Sequence, residues 1–103
     1  MGHEEYEREA ARLAGLSRAE RFEELIQFPT RHMIKAIGRR GQVELEIQRA
    51  LQDLGFGDTI PVERHSAKGR FVSITVELSV QSGAQLDEIY TVLERLPALK
   101  YLF

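Results

Sequence analysis

Residues 71 to 80 alternate between two kinds of side chain, and this alternation constrains the fold more than any other feature of the chain. Every second residue is aliphatic: Val72, Ile74, Val76, Leu78 and Val80. The residues between them are more varied: Phe71, Ser73, Thr75, Glu77 and Ser79. Because successive side chains of a strand point to opposite faces, this run predicts a strand of a sheet with one buried face and one open face.

The rest of the chain supplies partners for this strand. In chain order, hydrophobic periodicity predicts strand, helix, strand, strand, helix and strand over residues 30–38, 42–54, 60–66, 71–80, 82–96 and 98–103. This β-α-β-β-α-β order is the ferredoxin-like, split βαβ arrangement. The sequence therefore predicts an α+β fold in which two helices cover one face of an antiparallel sheet and leave the other face open.

A helical extension precedes this unit. Residues 1–21 form the predicted extension, and residues 22–103 form the predicted ferredoxin-like domain. Ser17 and Glu20 have the spacing of a capping box, so a short second helix is predicted to begin there. The first helix, over residues 4–15, has only a thin apolar stripe and needs another surface to pack on.

Composition excludes several classes of function. The 103 residues suffice for one domain, and their formal net charge of −2 does not favour a general nucleic-acid binder. The chain has no cysteine, which excludes disulfides, thiolate catalysis and cysteine zinc sites. No stretch approaches the roughly 18 apolar residues that span a bilayer. We expect a cytoplasmic protein without a membrane partner.

The turn after the first strand is a candidate ligand site. It consists of Gly38, Arg39, Arg40 and Gly41. Backbone N–H groups and the positive end of the following helix meet there, and two arginines add to the attraction for an anion. The alternative is a tight turn that uses its glycines for shape and leaves both arginines solvated.

The open face of the sheet is a candidate interaction surface. By alternation it presents Met33, Lys35, Ile37, Phe71, Ser73 and Lys100. An apolar patch with a charged rim often marks a surface for a partner. The alternative is that the N-terminal helices fold back over this face and bury it.

The sequence does not favour the hypothesis that this face binds RNA. Lys68 and Gly69 begin the basic, glycine and aromatic run that RNA-recognition modules carry on their third strand. Arg70 then stands where an aromatic residue is needed, and only Phe71 would offer a ring to a base. Because base stacking needs several exposed rings, nucleic acid is the weakest of the candidate partners.

Neither a metal site nor a catalytic site is indicated. His3, His32 and His65 do not have ligand spacing, and no carboxylate joins them in a recognisable motif. The serines and threonines of the third strand do not lie in the sharp turn between strand and helix that presents a catalytic nucleophile. No base is placed to activate them. We therefore expect no cofactor, no metal and no enzymatic activity.

Three segments resemble a known family. They are "FEELIQFPT" at 22–30, "IKAIG" at 34–38 and "HSAKGRFVSITVEL" at 65–78. Together they resemble the small bacterial YbeD-like proteins, a domain of unknown function that is sometimes named for lipoic acid regulation. The resemblance covers residues 22–103 and implies a ferredoxin-like fold close to the ACT regulatory domains. It carries no catalytic residues, and Arg39–Arg40 is a departure from the family pattern.

The resulting functional expectation is a non-enzymatic regulatory module. The first hypothesis is an ACT-like sensor that binds a small metabolite at Gly38–Gly41 as a homodimer, with a link to lipoate metabolism implied only by the resemblance. The second is a protein-interaction module that uses the open sheet face, and RNA binding is a distant third.

Overall fold

A computed structural model describes residues 3–103 and shows four helices and a four-stranded sheet. The elements, in chain order, are α1 (His3–Ala14), α2 (Arg18–Leu25), β1 (Thr30–Arg39), α3 (Val43–Asp53), β2 (Val62–His65), β3 (Phe71–Val80), α4 (Gly83–Glu94) and β4 (Leu99–Leu102). After the two N-terminal helices the order is β-α-β-β-α-β. The predicted ferredoxin-like, ACT-like α+β fold is confirmed, although β2 is shorter than the pattern suggested.

The four strands form one antiparallel sheet in the order β2-β3-β1-β4. The two long strands β1 and β3 are the central pair, and their register runs from Thr30 opposite Val80 to Arg39 opposite Phe71. The short strands β2 and β4 flank them as edges. Every side chain on the open face is therefore positioned by β1 and β3 or by a strand paired to one of them.

The core lies between this sheet and helices α3 and α4. All five aliphatic positions of β3 are buried, as the alternation predicts. They pack with residues of the two helices: Val43, Ile47, Ala50, Leu51, Leu86, Ile89 and Leu93. Burying these side chains is the main source of stability for a domain of this size.

Gly38 marks a close approach between β1 and the layer beneath it. A Cβ atom at this position would lie 2.5 Å from the carbonyl oxygen of Ala98 and 2.6 Å from Cγ2 of Val43. Only glycine fits, because both neighbours belong to the core. Gly38 is thus a buried packing residue of the strand and not part of an open turn.

Helix α2 packs beside α4 and leaves the open sheet face free. Its N-terminus has the predicted capping box between Ser17 and Glu20. Arg18 forms ion pairs with Asp87 and Glu94 of α4. This packing decides between the two alternatives for the N-terminal helices, since α2 extends the helical layer.

Helix α1 has no buried residue, and an ion pair between Arg12 and Glu24 joins it to α2. The predicted domain boundary after residue 21 falls inside α2, so the packed unit includes this helix. Residues 1 and 2 of the predicted extension lie outside the described residues. Within 3–103, no helix is both long enough and apolar enough to cross a membrane.

Candidate binding face

The open face is built from rows of side chains that cross all four strands. One row contains Val62, Thr75, Lys35 and Phe103, and the next contains Arg64, Ser73, Ile37 and Tyr101. Phe71 and Arg39 continue the series at one end of the sheet. Neighbouring strands lie about 4.8 Å apart, so Lys35 lies next to Phe103, and each row combines one cation with apolar side chains.

The six residues predicted for this face do lie together. Met33 is 63% exposed, Lys35 and Lys100 are exposed, and Ile37, Phe71 and Ser73 are half-buried. The pairing of β4 with β1 skips Lys100, which makes it the extra residue of a β-bulge. Its ammonium group lies 4.7 Å from the centroid of the Phe71 ring.

Two aromatic residues of the face were not predicted from the sequence. Tyr101 lies opposite Ile37, and Phe103 exchanges backbone hydrogen bonds with Lys35. Their side chains are 54% and 63% exposed, and the two rings stack with centroids 6.4 Å apart. Strict alternation from Lys100 assigns both rings to the core, and the bulge reverses that assignment. The signal that could have found them is Leu102, a core-directed residue between the two rings.

Charge on the open face is mostly positive. Its cations are Arg31, Lys35, Arg39, Arg64 and Lys100. Two carboxylates lie near the Met33 end, where Glu77 pairs with Arg31 at 3.0 Å and Asp58 lines a shallow depression. The Phe71 end, in contrast, is free of carboxylates among its lining residues.

Two connections add further cations at the Phe71 end. The backbone N–H of Arg40 donates to the carbonyl of Arg70 at 3.0 Å, which joins the β1–α3 turn to the β2–β3 hairpin. We call the resulting cluster the basic end: Arg39, Arg40, Arg64, Lys68, Arg70 and Lys100. In the part of the chain that the structure describes, none of these cations has a carboxylate within 4.0 Å.

At the predicted anion site, Gly38–Gly41, the backbone amides already have hydrogen-bond partners within the chain. The N–H of Arg39 donates to Ala98, and the N–H of Gly41 donates to the Glu44 carboxylate at 2.8 and 3.0 Å. Gly38 and Arg39 belong to β1, so the turn is shorter than predicted. The amides of Arg39, Arg40 and Gly41 are therefore not free to bind an anion, and at Gly41 the Glu44 carboxylate already takes the place of an external one.

His32 is partnered inside the fold. Its Nε2 lies 3.2 Å from the hydroxyl of Tyr90, and burial lowers the pKa of the imidazole. This contact gives His32 a structural role. Across residues 3–103, no three His, Asp or Glu side chains converge in a geometry that could hold a metal ion.

A cavity of 260 Å³ lies on the other side of the sheet, between α3 and the segment before β2. Ile47, Leu51 and Ile74 contribute apolar lining, and Glu44 and Glu63 contribute carboxylates. An anionic small molecule entering it would meet two like charges. The cavity therefore does not suit a small molecule that carries a carboxylate.

Comparison with known proteins gives a consistent assignment. Residues 23–103 match the model of a family described as "Protein of unknown function (DUF493)". A UPF0250 protein from Shewanella piezotolerans is 31% identical over 81 residues, which cover 78% of this chain and 92% of that relative.

Two further relatives agree with this match. A UPF0250 protein from Shewanella loihica is 32% identical with the same coverage, and one from Idiomarina loihiensis is 29% identical over 80% of this chain and 94% of its own length. These names state no ligand, reaction or partner, so the expected regulatory role and lipoate link stay predictions. The chain belongs to the DUF493 family of proteins of unknown function, the YbeD-like proteins that its sequence resembles.

Proposed function

We propose that this protein is a non-catalytic binding module whose open sheet face docks a macromolecule that presents closely spaced negative charges. The observation that carries the proposal is the interleaving of cations with exposed apolar side chains on one uncovered face. Lys35 stands beside Phe103, and Lys100 stands over Phe71. Such a face can attract a partner by charge and hold it by burial of apolar surface.

The net charge of −2 does not oppose this proposal. Most of the 16 acidic residues belong to the four helices, whereas eight of the 14 Lys and Arg residues belong to the open face and the basic end. Interactions between exposed charges are screened beyond about 8–10 Å at physiological salt. A partner on the sheet therefore experiences the local positive charge more strongly than the acidic helices behind it.

The small-molecule hypothesis has less support. An ACT-like sensor site at Gly38–Gly41 requires backbone donors, and the amides of Arg39, Arg40 and Gly41 all have partners within the chain. The open face needs no rearrangement to become available, because α2 packs elsewhere. The docking hypothesis therefore fits the geometry better than the sensor hypothesis.

Reversing one charge on the open sheet face, and one on the helical layer as a control, tests the proposal. The probe is heparin, a flexible sulfated polyanion that has no sequence, and its affinity is measured by titration calorimetry. Lys35→Glu changes the centre of the face, and Arg49→Glu is the matched control, because Arg49 is exposed on α3 in the helical layer.

We expect Lys35→Glu to weaken heparin binding about tenfold, as the loss of one favourable and the gain of one unfavourable charge contact implies. Arg49→Glu should leave the affinity within about twofold. Equal effects of the two variants, or no heparin binding by the unmodified protein, would contradict a docking role of the open face.

A further inference from the structure

We infer that the partner of the open face is a single-stranded nucleic acid, with its bases on the exposed rings and its phosphates on the basic end. This inference rests on the proposed function and names the chemistry of the partner. It reverses the expectation from the sequence, in which one exposed ring was too few for base stacking. The structure brings three rings, Phe71, Tyr101 and Phe103, onto the same face.

The rings suit unpaired bases. Tyr101 and Phe103 are more than half exposed and lie nearly parallel, with an angle of 28° between their planes. Ile37 lies opposite Tyr101 on the neighbouring strand, and it lines a shallow depression together with Phe71. Aromatic side chains on a flat sheet accept bases of any sequence, because every base has a π face.

The cations suit a phosphate backbone. The basic end contains four arginines and two lysines, and its arginines can bind phosphate oxygens through two parallel hydrogen bonds. Shallow depressions flank Phe71 on both sides, one lined by Arg39 and Lys100 and the other by Arg64. A strand that stacks a base near Phe71 can therefore place phosphates on either side of it.

The same charges argue against an acidic protein as the partner. The centres of protein–protein interfaces are depleted of charged residues, and lysine is depleted throughout them. Lys35 stands in the middle of the open face, between Thr75 and Phe103, and it is exposed. Interleaved cations and rings are instead the usual composition of a surface that binds single strands.

Fluorescence anisotropy with four probes tests this inference. The probes are a labelled single-stranded RNA of about twelve nucleotides, the same strand annealed to its complement, heparin and poly-glutamate. A site that acts by charge alone binds the duplex at least as well as the single strand, because the duplex has the higher charge density. A site that stacks bases prefers the single strand.

We expect the single strand to bind at least about tenfold more tightly than the duplex, and its affinity to fall steeply with salt. Tyr101→Ala should weaken binding of the single strand about tenfold and leave heparin binding within about twofold. Tyr6→Ala is the matched control, since Tyr6 is 74% exposed on α1, away from the sheet. Amide spectra of both variants establish that they are folded.

Four results would overturn the inference. If Tyr101→Ala weakens RNA and heparin binding equally, or if the duplex binds as well as the single strand, the face is a polyanion surface without base stacking. If poly-glutamate binds more tightly than RNA, the partner is an acidic protein. In these three cases the docking proposal still stands. The fourth result, no binding of any probe, would contradict both the docking proposal and this inference.

Discussion

The ammonium group of Lys100 lies 4.7 Å from the centroid of the Phe71 ring, and a β-bulge in β4 makes this contact possible. The bulge has a second effect, because it also turns Tyr101 and Phe103 onto the open face. One irregular residue thus combines a cation and two rings on a sheet whose edge strand would otherwise offer only one of these groups. Bulges often redirect side chains in this way beside functional sites.

Removing the charge of Lys100 is expected to reduce the salt dependence of binding. Lys100→Met keeps a stem of similar length over Phe71 and loses one phosphate contact. The slope of log affinity against log salt for single-stranded RNA should fall by about 0.7. Arg95→Met, at an exposed position after α4, should leave the slope unchanged. An unchanged slope in Lys100→Met would show that this cation does not contact the partner.

A methyl group at Gly38 is expected to destabilise the fold. The added Cβ meets the Ala98 carbonyl oxygen and the Val43 side chain, neither of which can move without disturbing the core. Gly38→Ala should cost about 1–3 kcal/mol in the free energy of unfolding, measured by urea denaturation. Gly57→Ala is the control, since its nearest neighbour would be the flexible Gln52 side chain at 3.4 Å. Equal stability of the two variants would refute the close approach at Gly38.

Arg18 is expected to anchor α2 to α4. Its guanidinium contacts Asp87, Thr91 and Glu94, and it lies 5.8 Å from the centroid of the Tyr90 ring. Arg18→Met should lower the free energy of unfolding by about 1–2 kcal/mol and increase hydrogen exchange in α2. Arg8→Met in the exposed helix α1 should have little effect on either quantity. Unchanged exchange in α2 would mean that its apolar contacts alone hold it.

Burial of His32 is expected to make stability depend on pH. The folded state lowers the pKa of His32, so the unfolded chain binds this proton more readily. The contribution of neutral His32 is complete well above its ordinary pKa of about 6.5 and is lost as the pH falls through that value towards the lower folded pKa. Denaturation between about pH 7.5 and about pH 5 measures it.

The matched variants for this prediction are His32→Gln and His65→Gln. Glutamine at position 32 can still bond to Tyr90 but does not titrate, so the unfolding free energy of this variant should decline less towards acid pH. His65 is exposed in β2, and His65→Gln controls for the loss of a histidine elsewhere in the sheet. An identical decline in all three proteins would mean that groups other than His32 cause it.

The period of β3 predicted a sheet with one covered face, and the β-α-β-β-α-β order predicted that helices form the cover. The capping box at Ser17 followed from a local pattern as well. The path of α2 could not be predicted, since it depends on contacts between Arg18 and a helix some 70 residues away. Sequence spacing carries no information about such a contact.

The candidate site was predicted in part. All six residues named for the open face lie there, whereas Tyr101 and Phe103 were missed because alternation fails at a bulge. The turn at Gly38–Gly41 was identified from its glycines and arginines. The pattern could not show that Gly38 is buried in β1, nor that Glu44 already accepts the Gly41 amide. Both facts depend on the packing of α3 against the sheet.

A methyl-detected titration with single-stranded RNA tests the central claim most directly, because isoleucine and methionine methyl groups report separately on the two sides of the sheet. Met33 and Ile37 lie on the open face, and Ile47 and Ile74 line the cavity on the helical side. Our account predicts that the Met33 and Ile37 signals shift with added RNA while the Ile47 and Ile74 signals stay in place. Shifts confined to Ile47 and Ile74 would contradict it and transfer the binding site to the cavity.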